Sequence, residues 1–170
     1  MLQYRKKRDD VENTKVDRLK EVDAATEAGA FVGYTTGKLS MDVSYATDVS
    51  SEHDGYLWYL NGRYKHPVNE RFSLTFGVHL AWADDDFMKT YFGVTGGESA
   101  KSGLPKYSAS SGFKDAGSGI TGVYKFNKTW GMAANVGYTR MLNDAEDSPL
   151  VSKVGDENQY EAVVAVMYSF

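Results

Sequence analysis

Between residues 71 and 83 every second side chain is large and apolar: Phe72, Leu74, Phe76, Val78, Leu80 and Trp82 alternate with Ser73, Thr75, Gly77, His79 and Ala81. A period of two puts the two sets on opposite faces of a β-strand. Residues 38–49 repeat it, with Leu39, Met41, Val43 and Tyr45 against Ser40, Asp42, Ser44 and Ala46. So do Trp130, Met132, Ala134, Val136 and Tyr138 against Gly131, Ala133, Asn135, Gly137 and Thr139. Weaker versions run through 25–35, 56–66, 87–94, 118–126 and 159–170. The pattern predicts about eight strands, each near the length that crosses a bilayer at a tilt.

The second face decides which way the strands look. A soluble barrel turns its large apolar residues inward and its charges outward, but here the opposite face holds Gly, Ala, Ser and Thr with occasional Asp, Arg or His. Such residues cannot fill a core; they suit a polar lumen, with the aromatic face toward lipid. Aromatic residues also gather at strand ends (Tyr34, Tyr45, Phe72, Trp82, Phe126, Trp130, Tyr138, Tyr168, Phe170), as interfacial girdles require. The reading is an all-β, antiparallel transmembrane β-barrel; an ordinary soluble barrel or sandwich is the alternative.

Composition narrows this further. The chain has 170 residues, 14% of them aromatic, 17 glycines, no cysteine and a net charge of −4. The absence of cysteine excludes a disulfide framework and thiolate chemistry. The net negative charge gives no electrostatic reason for nucleic acid as a partner. Mean hydropathy is −0.46, and no run of about 18 apolar residues marks a transmembrane helix. Arg5-Lys6-Lys7-Arg8 is followed at once by Asp9, Asp10 and Glu12, so it reads as a solvated loop or strand end.

Turn lengths alternate. Residues 36–38, 66–70 and 127–129 are short connections, whereas 48–55 and 141–158 are longer and acidic. In outer-membrane barrels short turns face the periplasm and long ones the exterior. Strands at 87–94 and 118–126 would then run the same way, so 95–117 is expected to return the chain as an irregular segment or through the lumen. Residues 1–23 lack the apolar stretch of an export signal and read as a charged leading segment, the end of an upstream strand plus a loop. Residues 24–170 are expected to be barrel, the C-terminal part of a larger one.

The final strand carries the most specific short signal. Tyr160, Ala162, Val164, Val166, Tyr168 and Phe170 share one face and end on a terminal aromatic residue. That is the pattern the bacterial outer-membrane assembly machinery recognises; an amphipathic strand that happens to end the chain is the bland alternative.

Several stretches in order, Tyr91-Phe92-Gly93-Val94, then Glu98 to Leu104, Tyr138-Thr139-Arg140 and Asp147-Ser148-Pro149, resemble the MipA/OmpV family of outer-membrane proteins, as do residues 19–29 and 48–55. The resemblance covers most of the chain after Leu19. It implies an outer-membrane barrel without catalytic residues. Some members are described as scaffolds that bring a lytic transglycosylase together with a murein synthase.

The residues themselves point the same way. His53, His66 and His79 are scattered over a loop, a turn and a strand face, and neither HExxH nor GxSxG occurs. His79 on the lumen face keeps an outer-membrane lipase conceivable, although a polar filler is the simpler role. Asp84-Asp85-Asp86 and Asp144, Glu146 and Asp147 could hold divalent cations, but read as solvated loop acids. Gly96-Gly97 reads as a turn. The expectation is a non-enzymatic outer-membrane barrel with no cofactor and no metal site. Its partners would be outer-membrane lipid, the assembly machinery and murein enzymes; the alternative is a small-solute pore or a stress-responsive permeability protein.

Overall fold

The computed structural model describes residues 1–7 and 14–169; Arg8, Asp9, Asp10, Glu12 and Phe170, singled out above, lie outside them. The elements are β1 (Leu2–Arg5), β2 (Ala25–Thr36), β3 (Leu39–Asp48), β4 (Tyr56–Pro67), β5 (Phe72–Ala83), α1 (Asp85–Phe92), α2 (Gly96–Ser102), β6 (Gly112–Lys125), β7 (Trp130–Met141), α3 (Asn143–Asp147), α4 (Pro149–Ser152) and β8 (Asn158–Tyr168). All eight strands form one antiparallel sheet in sequence order, curved into a half-barrel. The fold is all-β, and no helix among the described residues is long and apolar enough to cross a membrane.

The short turns explain this strand order. Between β2 and β3, Gly37 takes φ +55° at the first central position of a two-residue hairpin, the requirement of a II′ turn. The β4–β5 and β6–β7 turns share one device: Asn69 accepts from the backbone N–H groups of Arg71 and Phe72, and Asn127 from those of Thr129 and Trp130. Each turn fixes the register of its hairpin, and register fixes which residues look outward.

The outward face carries two aromatic bands. At the long-connection end Tyr45, Tyr56, Trp58 and Trp82 pack with ring centroids 4.9–5.8 Å apart, and Tyr138 lies 5.3 Å from Tyr160. At the short-turn end Phe72, Tyr124 and Phe126 form one run, and Trp130 sits 4.8 Å from Tyr168. Phe72 and Trp82 are ten residues apart on β5, about 34 Å along the strand and roughly 26 Å when tilted, which matches the apolar height of an outer-membrane barrel. Between the bands lie Leu60, Phe76, Val78, Ile120, Val136 and Val164, all exposed. No Asp, Glu, Lys or Arg faces outward there among the described residues.

Inside, the packed core is confined to the long-connection end. Leu57, Ala83 and Met141, on the inward side of β4, β5 and β7, pack with Phe87, Met88 and Phe92 of α1 and with Ala109, Ala145 and Val151. A smaller cluster joins Leu19, Val94 and Leu104. The connections thus build a cap over the inner face, while the rest of that face is mainly polar or small, with Phe31, Val123, Val163 and Met167 as its large apolar residues among those described.

Two expectations are corrected here. Residues 87–94 are not a strand: Asp85–Phe92 is helical, because Asp84 caps it by accepting from the Phe87 N–H, and Phe87, Met88, Tyr91 and Phe92 fall on one helical face that the cap buries. Gly96-Gly97 is not an isolated turn but the first turn of α2, set by a capping box between Thr95 and Glu98. The strand parity changes accordingly. β6 begins at Gly112, so the irregular stretch is shorter than 95–117, and β5 and β6 pair directly as antiparallel neighbours.

The assigned faces are testable at two neighbouring positions of β5. Val78 is outward and 61% exposed, whereas Thr75 faces inward opposite Lys65 and Thr121. Val78→Arg should lower folding stability in lipid vesicles by about 2–4 kcal/mol, and Thr75→Arg by much less. Equal tolerance of the two would mean that the faces are reversed or that no lipid belt exists.

Candidate functional site

The inner face is built from charges whose partners come from distant parts of the chain. Glu27, inward on β2 between Ala25 and Gly29, is fully buried. Arg5 on β1 meets it with two bonds, Nε to Oε1 at 2.7 Å and Nη2 to Oε2 at 3.2 Å, and also donates to the Tyr59 hydroxyl at 3.3 Å. The guanidinium carbon lies 4.8 Å from the Phe87 ring centroid and 5.6 Å from that of Tyr91. The fork geometry, the stacking and the acid together compensate removal of the guanidinium from water.

His53 completes this cluster from the β3–β4 loop. Its Nδ1 accepts from the Gly55 N–H at 3.1 Å, which leaves Nε2 to donate to Glu27 Oε1, also at 3.1 Å. The loop is held by Asp48, whose Oδ2 accepts from the backbone N–H groups of Glu52, His53 and Asp54. Gly55 is required by close approach: a Cβ there would lie 2.5 Å from the Phe87 nitrogen and 2.6 Å from Asp84 Oδ1.

Further down the inner face the polar groups pair in layers. His79 Nε2 lies 3.3 Å from Asp115 Oδ1, and Lys114, the extra residue of a bulge in β6, also pairs with Asp115. A Cβ on Gly117 would lie 2.2 Å from the His79 ring, so the glycine makes room for that pair. Asp42 pairs with Arg63 and accepts from Asn61 at 2.7 Å. Between these layers runs an open polar groove of about 400 Å³, lined by Asn61, Thr75, His79, Thr121, Asn135 and Gln159 among others. At the outer end Asp85 accepts from the Ser111 N–H and pairs with Lys89, and the two interactions, the first the larger, hold its carboxyl below the usual range.

This arrangement balances charge and lines a water-accessible surface. The residues of the final-strand signal Tyr160, Ala162, Val164, Val166 and Tyr168 all lie on the outward face of β8 and are exposed. Of the acids considered as cation ligands, Asp84 is a helix cap that also accepts from the Tyr56 N–H, and Asp144 accepts from the Ser110 N–H. His66 sits exposed near the end of β4, away from His53 and His79. Arg5, read above as part of a solvated loop or strand end, does end β1, but its side chain is mostly withdrawn from water against Glu27; sequence reasoning missed Glu27, Tyr59 and Asp115. The available signal was an acid in the small-residue set of a strand, at the end nearest a long connection.

A family model described as MltA-interacting protein MipA matches residues 1–170. The chain belongs to the MipA family. Among curated relatives it is similar to the MltA-interacting protein of Escherichia coli (strain K12), 26% identical over 126 residues, covering 74% of this chain and 50% of the relative. The MltA-interacting protein of Shigella flexneri gives the same values. The provisionally named outer membrane protein YiaT of Escherichia coli (strain K12) is 28% identical over 114 residues, covering 67% of this chain and 46% of YiaT. The chain spans about half the length of the curated relatives it matches. The family is named for an interaction, not for a reaction.

The buried cluster makes a direct test of the inner face. Glu27→Ala would strand Arg5 without its acid and should destabilise the folded sheet by about 3 kcal/mol or more, measured by urea unfolding in detergent micelles. Glu27→Gln, which keeps one acceptor for Arg5, should cost less. Lys89→Ala at the exposed Asp85 pair should change stability by under about 1 kcal/mol.

Proposed function

We infer that this protein is a non-enzymatic outer-membrane β-barrel whose short-turn side meets the periplasm and engages the enzymes that cut and build murein. The observation that carries this is the family match over the whole chain, in a sheet whose outward face has two aromatic bands with no charge between them. The relatives named for interacting with MltA support a lytic transglycosylase as one partner, and the family resemblance adds a murein synthase. The outer edges of β1 and β8 carry no strand partner among the described residues. An open edge is not tolerated in hydrocarbon, which supports these eight strands as part of a larger closed barrel.

Immobilised protein should retain a purified MltA-type lytic transglycosylase at low salt without changing its turnover of murein. Absence of retention by folded protein would overturn the partner. A second reading, a small-solute pore, is favoured by the polar groove along the inner face. Planar-bilayer conductance separates the two. A closed membrane supports the scaffold and a capped lumen, and steady conductance supports the pore.

The outward face of β8 that ends in Tyr168, together with Phe170 two residues on in the sequence, is proposed as the signal for the assembly machinery. Replacing Phe170 by Asp should lower outer-membrane yield of an exported form several-fold while folding into short-chain lipid in vitro is retained, because a recognition signal acts on the route and not on the final sheet. Unchanged yield in cells would argue against it.

A further inference from the structure

The short-turn rim is charged in a way the rest of the molecule is not. Residues 36–38, 65–71 and 125–130 supply Lys38, Lys65, Arg71, Lys125 and Lys128 against one carboxylate, Glu70, in a chain of net charge −4. All five cations are exposed. Among the described residues none of them has an ion-pair partner; exposed Lys106 and Lys153 at the other end share this, so what sets the rim apart is its balance of five cations to one carboxylate.

Alternation aims Lys65, Arg71 and Lys125 away from lipid, and Lys38 and Lys128 lie in the turns themselves. Lys65 pairs across β4–β5 with inward Thr75; Lys125, opposite inward Gly131, donates its backbone N–H to the Arg71 carbonyl, while Phe72, Tyr124 and Trp130 between them look outward. The inward positions of β4–β8 on the rim side of the layer Arg63–Gly77–Gly119–Gly137–Glu161 hold no carboxylate. An open groove of about 780 Å³ lies at this mouth, lined by Arg71, Lys125 and Lys128, the one carboxylate Glu70, and Gly131 and Met167 among others. The opposite mouth is filled by the cap.

The spacing of the charges selects the ligand. They come from three successive hairpin turns, so from Lys38 to Lys128 they span about four strand separations, on the order of 20 Å. One small anion cannot bridge that distance, whereas an acidic protein surface or segment can. The inward cations Lys65, Arg71 and Lys125 are also poorly placed for lipid headgroups, which lie outside the aromatic band.

We propose that the short-turn rim is a docking surface for an acidic segment of a periplasmic protein, with Arg71, Lys125 and Lys128 as its centre and Lys38 and Lys65 extending it. This rests on the barrel reading, since only there do the short turns form one rim on the periplasmic side. Electrostatic complementarity of this kind sets association rate and register and weakens with salt.

The test uses the full chain in zwitterionic detergent micelles and a fluorescein-labelled octaglutamate peptide, read by anisotropy at low and physiological salt. The combined variant Arg71→Gln, Lys125→Gln, Lys128→Gln should bind at least about tenfold more weakly than the parent and lose most of the salt dependence. The combined variant Lys89→Gln, Lys106→Gln, Lys153→Gln, which removes three cations from the other end, should stay within about twofold. Equal losses in both variants would mean that the peptide senses net charge only, and no binding by the parent at low salt would mean that the rim does not dock acids; either overturns the proposal. So does a rim variant that keeps peptide binding but loses its preference for vesicles containing phosphatidylglycerol over phosphatidylcholine alone, which would assign the cations to lipid. Failure of the barrel reading appears separately, as equal tolerance of Arg at Val78 and Thr75.

Discussion

Backbone hydrogen bonding without water is the constraint from which the rest of this structure follows. In hydrocarbon every N–H and C=O must find a protein partner, and seven strands of 10–14 residues meet this along each edge they share by pairing in strict sequence order. Once the ladder is fixed, side chains have only two directions. Large apolar residues take the lipid side and everything that needs water takes the other, so a chain of negative mean hydropathy can still present an unbroken apolar belt.

The inner face shows how charge is handled in the same frame. At the capped end the buried acids are matched: Glu27 by Arg5 and His53, Asp115 by Lys114 and His79, and Asp84 by the backbone N–H groups of Tyr56 and Phe87. At the open end, where water is present, cations are left unpaired. The difference is what desolvation predicts, because an unpaired charge is costly only where it cannot be hydrated. Burial thus goes with pairing for Glu27 and Asp115, while the exposed rim cations need none.

The strands were legible because a period of two survives even where individual residues vary, as in β5 and β7. The connections were not. Residues 87–94 fit a strand by alternation and a helix by the positions of Phe87, Met88, Tyr91 and Phe92, and a window of eight cannot separate the two. The deciding signals were local and overlooked: Asp84 before two more acids and Lys89 in the last turn, then Thr95 with Glu98 three residues on. Reading these as caps gives two helices and removes the apparent parity conflict between residues 87–94 and 118–126.

What the amino-acid sequence by itself determined was the sheet, its two faces, the aromatic bands and the resemblance to the MipA family, because each of these is set by residues within one strand or one short turn. What only the tertiary structure decided was the cap and the charge pairing. Arg5 and Glu27 are 22 residues apart, and Ser148 donates to the Phe92 carbonyl across 56. Such partners are chosen by the curvature of the whole sheet and by which loop reaches over its end, and no local pattern encodes that distance.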